Sequence, residues 1–295
     1  MKKLGVLVLH GMGDQGENFA EPLIEELEER LEDMNLDPND IAWEPVWWAP
    51  VLADAQKRLW KDLRAGHDLS YRRLRKFLIH YVADSFAYRK VDANVPATIH
   101  TYDEIHAEVA AALQRLRTTT RRGRRQGDPE APLFIVAHSL GCHIISNYIW
   151  DIQRDLAADF AATTRGNELE DLKTLAGIAT FGCNIPFFVL AHKNVQPISF
   201  PLDAADMAAF FPSGTNLNAL RKAMKWHNYF DPDDVLGWPL KPLSPAYRNA
   251  VYRDHEINAG NLLTSWNPFS HLEYWTDGDL TKPIAKSIGE LLRLL

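Results

Sequence analysis

The stretch "PLFIVAHSLGCHIISNYIWDI", residues 132–152, decides the fold because its pattern changes at a single serine. Residues 133–137 form an apolar run that is typical of a strand buried on both faces of a parallel sheet. After Ser139 the apolar residues recur with helical spacing, at Ile144, Ile145, Tyr148 and Ile149. A strand that turns directly into a helix around a serine predicts a strained turn that holds one hydroxyl where a substrate can reach it.

Outward from this stretch, predicted strands and helices alternate along the chain. Further strands are predicted at 4–9, 41–48, 174–182, 225–230 and 250–257, and further helices at 18–34, 99–117 and 281–295. Such alternation predicts an α/β fold with a mostly parallel central sheet that is covered by helices on both faces. No linker interrupts the alternation, so we expect one domain over residues 1–295.

Two segments interrupt the regular pattern. Residues 50–90 read as an insertion of two or three helices, which could form a cap, an extra layer or an interface with another subunit. Residues 184–224 are apolar but irregular and contain several prolines, which suggests a second cap or a pocket segment. The basic run "TTTRRGRRQGDPEAP", 118–132, is typical of a solvated loop, with anion binding as the alternative.

The bulk composition restricts the location and the partners of the chain. Its 295 residues carry a net charge of -7, which gives no reason to expect nucleic acid or an acidic membrane surface as the main partner. The apolar run at 4–9 is too short for a signal peptide, and no stretch approaches the roughly 18 apolar residues of a spanning helix. With only Cys142 and Cys183, a reducing compartment is the simpler interpretation. We therefore expect a cytoplasmic protein without stable membrane insertion, and leave a homo-oligomer open.

The turn at Ser139 matches a known nucleophile pattern. Residues 137–141 read A-H-S-L-G, close to the G-x-S-x-G turn between a strand and a helix, whose flanking residues must be small. A serine hydroxyl becomes a useful nucleophile only when a base, usually a histidine held by a carboxylate, removes its proton. In this kind of fold the three residues follow in the order serine, acid, histidine.

That order leaves few candidates for the base. Four histidines lie beyond the helix that follows Ser139: His192, His227, His255 and His271. Only the last two follow the best carboxylate, and His255 lies in the alternating strand pattern "AVYRDHEI", which suits an ordinary strand histidine. His271 lies in the predicted loop "WNPFSHLEYW", 266–275, and is the favoured base.

The carboxylate is predicted in the segment "KWHNYFDPDDVLGW", 225–238. A strand ends at Phe230, and an acidic turn follows it. Asp234 is favoured because it precedes apolar residues that would anchor the chain, whereas Asp231 remains open as the acid or as a cap of the turn. Asp233 is predicted to face solvent.

The first predicted strand leads into "LHGMGDQGE", 9–17, a glycine-rich loop. An acyl-transfer site needs N–H donors for its oxyanion, and we assign them to the Met12 and Leu140 amides. His10 is predicted to brace the loop by hydrogen bonding. The phosphate-loop interpretation fails because no lysine followed by serine or threonine comes after Gly16.

Together, "HGMG", "AHSLG", the aspartate turn and the late histidine resemble the α/β-hydrolase superfamily. The "AHSxG" form is similar to bacterial lipases and esterases. The resemblance implies an eight-stranded sheet or a trimmed version of it, an ester or related acyl substrate and no cofactor. The expected activity is that of a carboxylic-ester hydrolase; the alternatives are another acyl substrate (a phospholipid, a thioester or an amide) and a binding protein on a retired hydrolase fold.

Substrate-binding residues are the least constrained part of the prediction. Aromatic and apolar residues follow strand ends on the expected active-site side and are either pocket or core residues: Trp47, Trp48, Ile185, Pro186, Phe187 and Phe188. We expect no metal site, because the spacing of His100 and His106 does not suit metal ligands on one helical face. Asp84 and Tyr88 stand out within the insertion but suit ordinary polar contacts.

Overall fold

The computed structural model describes residues 2–13, 15–79, 83–90, 100–120, 131–155, 167–190, 192–201, 207, 211, 214–260, 271 and 273–295. Parts of several predicted segments lie outside these residues: 14 of the glycine-rich loop, 80–82 of the insertion, 99 of the helix predicted at 99–117, 121–130 of the basic run, and 266–270 and 272 of the loop that contains His271. Within the 184–224 segment, the same holds for 191, 202–206, 208–210 and 212–213.

The described residues form one six-stranded parallel sheet. Its strands are β1 (Leu4–Leu9), β2 (Ile41–Val46), β3 (Leu133–His138), β4 (Leu175–Phe181), β5 (Trp226–Phe230) and β6 (Arg253–Glu256). The strand order across the sheet is β2-β1-β3-β4-β5-β6, and every neighbouring pair is parallel. The central strands β1, β3 and β4 are buried along their whole length, as the continuous apolar runs predict. The predicted α/β fold with a mostly parallel sheet is confirmed.

Ten α-helices connect and cover the strands in the described part of the chain. They are α1 (Glu21–Asp33), α2 (Pro50–Arg64), α3 (Arg72–Leu78), α4 (Asp84–Ala87), α5 (Thr101–Thr120), α6 (Leu140–Asp155), α7 (Ile185–Phe188), α8 (Leu217–Ala223), α9 (Pro245–Ala250) and α10 (Gly278–Leu292). Helix α1 packs on α10, and α5 packs on α6. Helix α1 connects β1 to β2, and α6 connects β3 to β4, so the two connections run in opposite directions across the sheet. Right-handed crossovers in opposite directions place their helices on opposite faces, so α1 and α6 cover different faces of the sheet.

Four strands are shorter than predicted, and for β2 and β6 the local reason is visible. β2 ends at Val46 because the chain turns into α2, which starts with a proline at residue 50. β6 starts at Arg253 because Ser244 caps α9, which runs to Ala250 and occupies the start of the predicted strand.

The sheet brings distant parts of the sequence to one edge. Parallel strands share the direction of their carboxyl ends, so the segments after β1, β3 and β5 emerge at the same edge. These segments carry Met12, Ser139 and Asp234. In the described part of the chain, no helix is long and apolar enough to cross a lipid bilayer.

Candidate active site

Ser139 lies in a strained turn between β3 and α6. Its φ is 53°, in the left-handed region that disfavours residues with a Cβ atom. The turn is held in place because the Ser139 N–H donates to the Phe181 carbonyl at 3.0 Å, and the Ser139 carbonyl accepts from the Cys142 N–H at 3.0 Å. The strained turn that the sequence predicts is therefore present.

Glycines allow the backbones around this turn to approach closely. A Cβ atom at position 141 would lie 2.5 Å from the His10 carbonyl oxygen, and one at position 11 would lie 2.7 Å from Ser139 Cβ. No ordinary Cβ contact is that short, so the loop after β1 and the start of α6 need glycine at both positions. Ala137, where the G-x-S-x-G pattern has its first glycine, is fully buried.

Three side chains from different parts of the sequence form one hydrogen-bonded chain. Ser139 Oγ lies 2.7 Å from His271 Nε2, and His271 Nδ1 lies 2.8 Å from Asp234 Oδ2. An ionised carboxylate accepts hydrogen bonds and cannot donate them. With Asp234 as the acceptor, Nδ1 carries the imidazole proton, and Nε2 is left to accept from the serine hydroxyl. This arrangement is the one in which an imidazole can remove a proton from a serine.

Asp234 is fixed by further donors. Its Oδ2 also accepts from Tyr274 Oη at 2.9 Å, while its Oδ1 accepts from the Leu236 N–H at 2.9 Å. Asp231, the other candidate acid, caps its own turn: it accepts from the Asp233 N–H and from the Ala259 N–H, each at 2.7 Å. Of the two aspartates, only Asp234 meets His271 within the described part of the chain.

His138, directly before the serine, supports the backbone of His271. Its Nε2 lies 2.9 Å from the His271 carbonyl oxygen, a contact that requires the proton on Nε2. Burial, with the nearby His271 as a smaller cause, lowers the pKa of His138 well below its usual value. His138 therefore stays neutral and acts as a donor that positions residue 271.

The loop after β1 is braced by His10, as predicted. His10 Nδ1 donates to the Gly11 carbonyl at 2.6 Å, and its Nε2 accepts from the Ala49 N–H at 3.3 Å. The imidazole stacks on Trp48 with ring centroids 4.6 Å apart, and burial lowers its pKa to about 4. A neutral, stacked His10 suits a structural role in the loop.

The two amides assigned to the oxyanion lie on either side of this turn. Met12 is in the braced loop, and Leu140 is the first residue of α6. In the described part of the chain, neither N–H donates a hydrogen bond to another group. Their position follows from the glycine contacts that bring Gly11 against Ser139.

A buried aspartate from the insertion also contacts the loop. Asp84, which is 1% exposed, accepts from Gln56 Nε2 of α2 and from the Gly13 N–H at 3.4 Å. Burial raises the pKa of Asp84 to about 7, and the two hydrogen bonds offset only part of that effect. Asp84 thus joins α2 and α4 to the loop that holds Met12.

The residues predicted to bind substrate occupy different surroundings. Trp47 Nε1 donates to the Gln15 carbonyl at 2.7 Å, and the buried Trp48 Nε1 donates to the His10 carbonyl at 3.1 Å, so both hold the loop. Phe187 is 47% exposed and packs edge-on against Trp238. None of these three lines the cavity described next, and their substrate-binding role stays a prediction.

A cavity of about 370 Å³ lies between α6 and α7. Ile185 and Phe188 line it, together with His143, Trp150 and Tyr247. His143 lies one helical turn beyond Ser139 and stacks on Phe188, with ring centroids 3.9 Å apart. Burial lowers the pKa of His143 to about 3, so this imidazole is neutral, whereas Arg154 of the same helix adds a positive charge to the wall of the cavity.

The structure differs from the sequence prediction in the exposure of the nucleophile. Ser139 is 0% exposed and His271 is 2% exposed, whereas the turn was expected to present its hydroxyl to a substrate. The close approach of the Gly11 backbone contributes to this burial. In this structure, the Ser139 hydroxyl is therefore closed to solvent.

Sequence reasoning missed Tyr274 and His138 and left Asp84 without a role. Each acts through a contact between residues that are distant in sequence, which a single sequence does not reveal directly. Tyr274 stands three residues after His271, on the short 3₁₀ turn Tyr274–Thr276, and this proximity was the one available indication. Among the described residues, no group of three or more histidine, cysteine, aspartate or glutamate side chains is arranged to hold a metal ion.

Comparisons with known proteins add little to this geometry. No protein-family model matches the chain, and no curated protein matches it. Among solved structures, a crystal structure from Xanthomonas campestris pv. campestris, provisionally described as a hydrolase of the alpha/beta superfamily, covers 99% of each chain with 13% sequence identity and a TM-score of 0.35. A similarity this low carries no argument about the site, so the functional reasoning rests on the residues themselves.

Proposed function

We propose that the protein is a serine hydrolase that cleaves carboxylic esters through an acyl-enzyme intermediate. The observation that carries this proposal is the continuous hydrogen-bonded chain from Ser139 Oγ through His271 to Asp234, with contacts of 2.7 and 2.8 Å. The strained turn supports the same reaction class, as do the Met12 and Leu140 amides, which donate to no other group in the described part of the chain.

In the proposed first step, Ser139 Oγ attacks the acyl carbon while His271 Nε2 takes the hydroxyl proton. Asp234 holds Nδ1–H and stabilises the imidazolium that forms. His271 then gives the proton to the leaving alcohol, which departs and leaves the acyl group on Ser139. Water, deprotonated by the same imidazole, attacks the acyl carbon and releases the acid.

The negative charge of each tetrahedral intermediate falls on the former carbonyl oxygen. We assign its stabilisation to the N–H groups of Met12 and Leu140, because Leu140 directly follows Ser139, Met12 directly follows the Gly11 that packs against Ser139, and neither N–H has another acceptor in the described part of the chain. Amides in this arrangement are pre-oriented, and the loss of a single oxyanion donor usually slows such enzymes by about 100-fold to 1000-fold.

For the acyl group we propose the cavity beside α6. Ile185 and Phe188 give it an apolar wall, and a volume of about 370 Å³ suits a small or medium-sized acyl chain. His143 and Asn147, which share a 3.1 Å contact, add neutral polar groups to the cavity, and Arg154 adds a positive charge. Enlarging the cavity by Phe188→Ala should therefore shift the preference toward longer acyl chains.

The direct test is the hydrolysis of chromogenic esters of increasing acyl length by the wild-type protein and by Ser139→Ala. We expect the wild type to release the alcohol and the variant to lose nearly all of this activity. Equal rates from both proteins would remove Ser139 from the mechanism. Thioester and amide substrates in the same series test whether esters are the preferred acyl class.

A further inference from the structure

The cavity beside α6 follows one face of that helix. Five residues of α6 line it, spaced so that they lie on the same side: His143, Ser146, Asn147, Trp150 and Arg154. His143 lies one turn beyond Ser139, whereas Arg154 lies in the last turn of α6. At a rise of about 1.5 Å per residue, the lined stretch of α6 is about 16 Å long. The cavity therefore starts one turn from the nucleophile along α6 and extends away from it.

A segment after α7 forms the wall opposite the last turns of α6. Its lining residues are His192, Asn194, Val195 and Gln196. Two hydrogen bonds attach this segment to α6 beside Arg154: Gln153 Nε2 donates to the Ser199 carbonyl at 2.9 Å, and the Ser199 N–H donates to Gln153 Oε1 at 2.9 Å. The far part of the cavity is therefore held between α6 and a segment that carries two side-chain amides.

The character of the wall changes along the cavity. Ile185 and Phe188 of α7 make the part beside His143 apolar, and Phe188 stacks on that imidazole. Toward the other end of α6, Arg154 introduces a positive charge. Among the described residues that line the cavity, Arg154 is the one lysine or arginine, and none is an aspartate or a glutamate. An elongated ligand with an apolar body and an anionic end matches this distribution.

The guanidinium of Arg154 has no carboxylate partner in the described part of the chain. Asp151, one turn earlier on α6, accepts instead from Lys90 Nζ at 3.0 Å and from Tyr102 Oη at 2.9 Å. The amides of Asn194 and Gln196 line the same cavity and can donate further hydrogen bonds. A guanidinium in such surroundings is suited to a bidentate bond with a carboxylate.

We propose that the cavity binds an acyl group whose far end carries a carboxylate, so that the preferred substrates are monoesters of dicarboxylic acids. This inference rests on the proposed function, because it takes the cavity as the acyl site. A carboxylate is a better match than a phosphate for two reasons. One arginine supplies a single positive charge, and the carboxyl end of α6 carries a partial negative charge that opposes a doubly charged group more strongly.

The size of the preference follows from the exposure of Arg154. This side chain is exposed, so it stays hydrated when a methyl-terminated acyl chain occupies the cavity. An ion pair in contact with solvent strengthens binding by up to about fivefold, and salt screens it. We therefore expect a carboxylate-terminated acyl chain to bind about fivefold more tightly than a methyl-terminated chain of the same length at low salt, and by less at high salt.

The test is calorimetric titration of Ser139→Ala, in which no hydrolysis intervenes. The two ligands are the monomethyl ester of a medium-chain dicarboxylic acid and the methyl ester of the monocarboxylic acid of the same length. Adding Arg154→Gln should remove the preference for the first ligand, and adding Arg154→Lys should keep most of it, because the charge remains. Since Arg154 is exposed, both variants are expected to fold.

Arg58→Gln is the matched control, since it removes another exposed arginine from a helix, α2, that does not line the cavity. The preference should survive in this variant. Equal affinity for the two ligands in the Ser139→Ala parent would overturn the proposal. A preference that persists in Arg154→Gln, or that is lost equally in Arg154→Gln and Arg58→Gln, would also overturn it.

Hydrolysis by the wild type separates this proposal from the proposed function. If the wild type cleaves both esters with equal kcat/KM, the ester hydrolase stands and the carboxylate site is overturned. If the carboxylate-terminated ester binds more tightly through Arg154 but neither ester is cleaved, the site stands as a binding site and the proposed function is overturned.

Discussion

Tyr274 donates a hydrogen bond from its Oη to Asp234 Oδ2 at 2.9 Å, and the same oxygen accepts from His271 Nδ1 at 2.8 Å. The tyrosine hydroxyl in turn accepts from the Asp231 N–H at 2.9 Å. The phenol therefore fixes the position of the acid that orients the imidazole. Burial, followed by the charge of Asp234, raises the pKa of Tyr274, so its proton stays available for donation.

Replacing Tyr274 with phenylalanine should reduce kcat by about tenfold or more. A hydrogen bond to a charged group contributes about 1.5–3 kcal/mol, and its loss leaves Asp234 less well held against His271. Steady-state kinetics of the variant, with KM expected to change little, measure this effect. A kcat within twofold of the wild type would contradict a positioning role.

Tyr229→Phe is the matched control for Tyr274→Phe. Tyr229 is also fully buried, but its Oη has no hydrogen-bond partner among the described residues. Removing this hydroxyl should leave kcat unchanged and leave stability unchanged or higher by up to about 1–3 kcal/mol, because an unsatisfied buried group is lost. A clear loss of activity in Tyr229→Phe would mean that the effect at residue 274 is not specific.

Ser139→Gly and Ser139→Ala should both be inactive, but they should differ in stability. With φ at 53°, any residue with a Cβ atom is strained at position 139, whereas glycine is not. After allowing for the greater freedom of glycine in the unfolded chain, we expect Ser139→Gly to be more stable than Ser139→Ala by about 1 kcal/mol. Urea unfolding measures the difference, and an alanine variant as stable as the glycine variant would contradict the strained turn.

Gly237→Ala should displace the Asp234 carboxylate although residue 234 itself is unchanged. A Cβ atom at position 237 would overlap Asp234 Oδ2, so the carboxylate or the turn has to shift away from His271. We expect kcat to fall at least tenfold while the protein still folds. Gly16→Ala is the control, since a Cβ atom there meets nothing within 4 Å, and its kinetics should equal those of the wild type.

Asp84 should make stability depend on pH. Its pKa is raised from 3.8 to about 7 in the folded protein, so the folded state holds this proton more tightly than the unfolded state. The resulting stabilisation is complete below about pH 3.8 and is lost as the pH rises to about 7, a change of up to about 4 kcal/mol.

Urea unfolding of the wild type and of Asp84→Asn at about pH 5 and about pH 8 tests this dependence. The wild type should lose more stability between the two pH values than Asp84→Asn, because only the wild type carries the titrating carboxyl. Asp54→Asn, which removes an exposed carboxyl of α2, should follow the wild type. Equal losses in all three proteins would contradict the raised pKa of Asp84.

Regular elements were the most predictable part of the fold. β1, β3 and β4 are continuous apolar runs in the sequence, because a strand that is buried on both faces of the sheet carries apolar side chains on both sides. Element ends were less predictable because they depend on caps: Ser244 starts a helix in front of β6, and Asp277 starts α10 three residues before its predicted position. The six-stranded sheet agrees with a trimmed version of the eight strands that the resemblance implied.

The residues of the candidate site were predictable to the extent that their order along the chain restricts the choice. The order serine, acid, histidine reduced the candidates to a few, and the structure brings Ser139, Asp234 and His271 into contact. Tyr274 and His138 were missed because their roles depend on where a hydroxyl and an imidazole end up after folding. The burial of Ser139 was missed for the same reason, since it depends on the close approach of backbones that are distant in sequence.

The most direct test of the central claim is covalent labelling by a fluorophosphonate, followed by mass spectrometry of the digested protein. If the imidazole of His271 activates the hydroxyl, the wild type gains one phosphonate on Ser139, and folded His271→Ala and Ser139→Ala variants gain none. A phosphonate on another residue, or no label on a folded wild type under conditions that label a known serine hydrolase, would contradict the account.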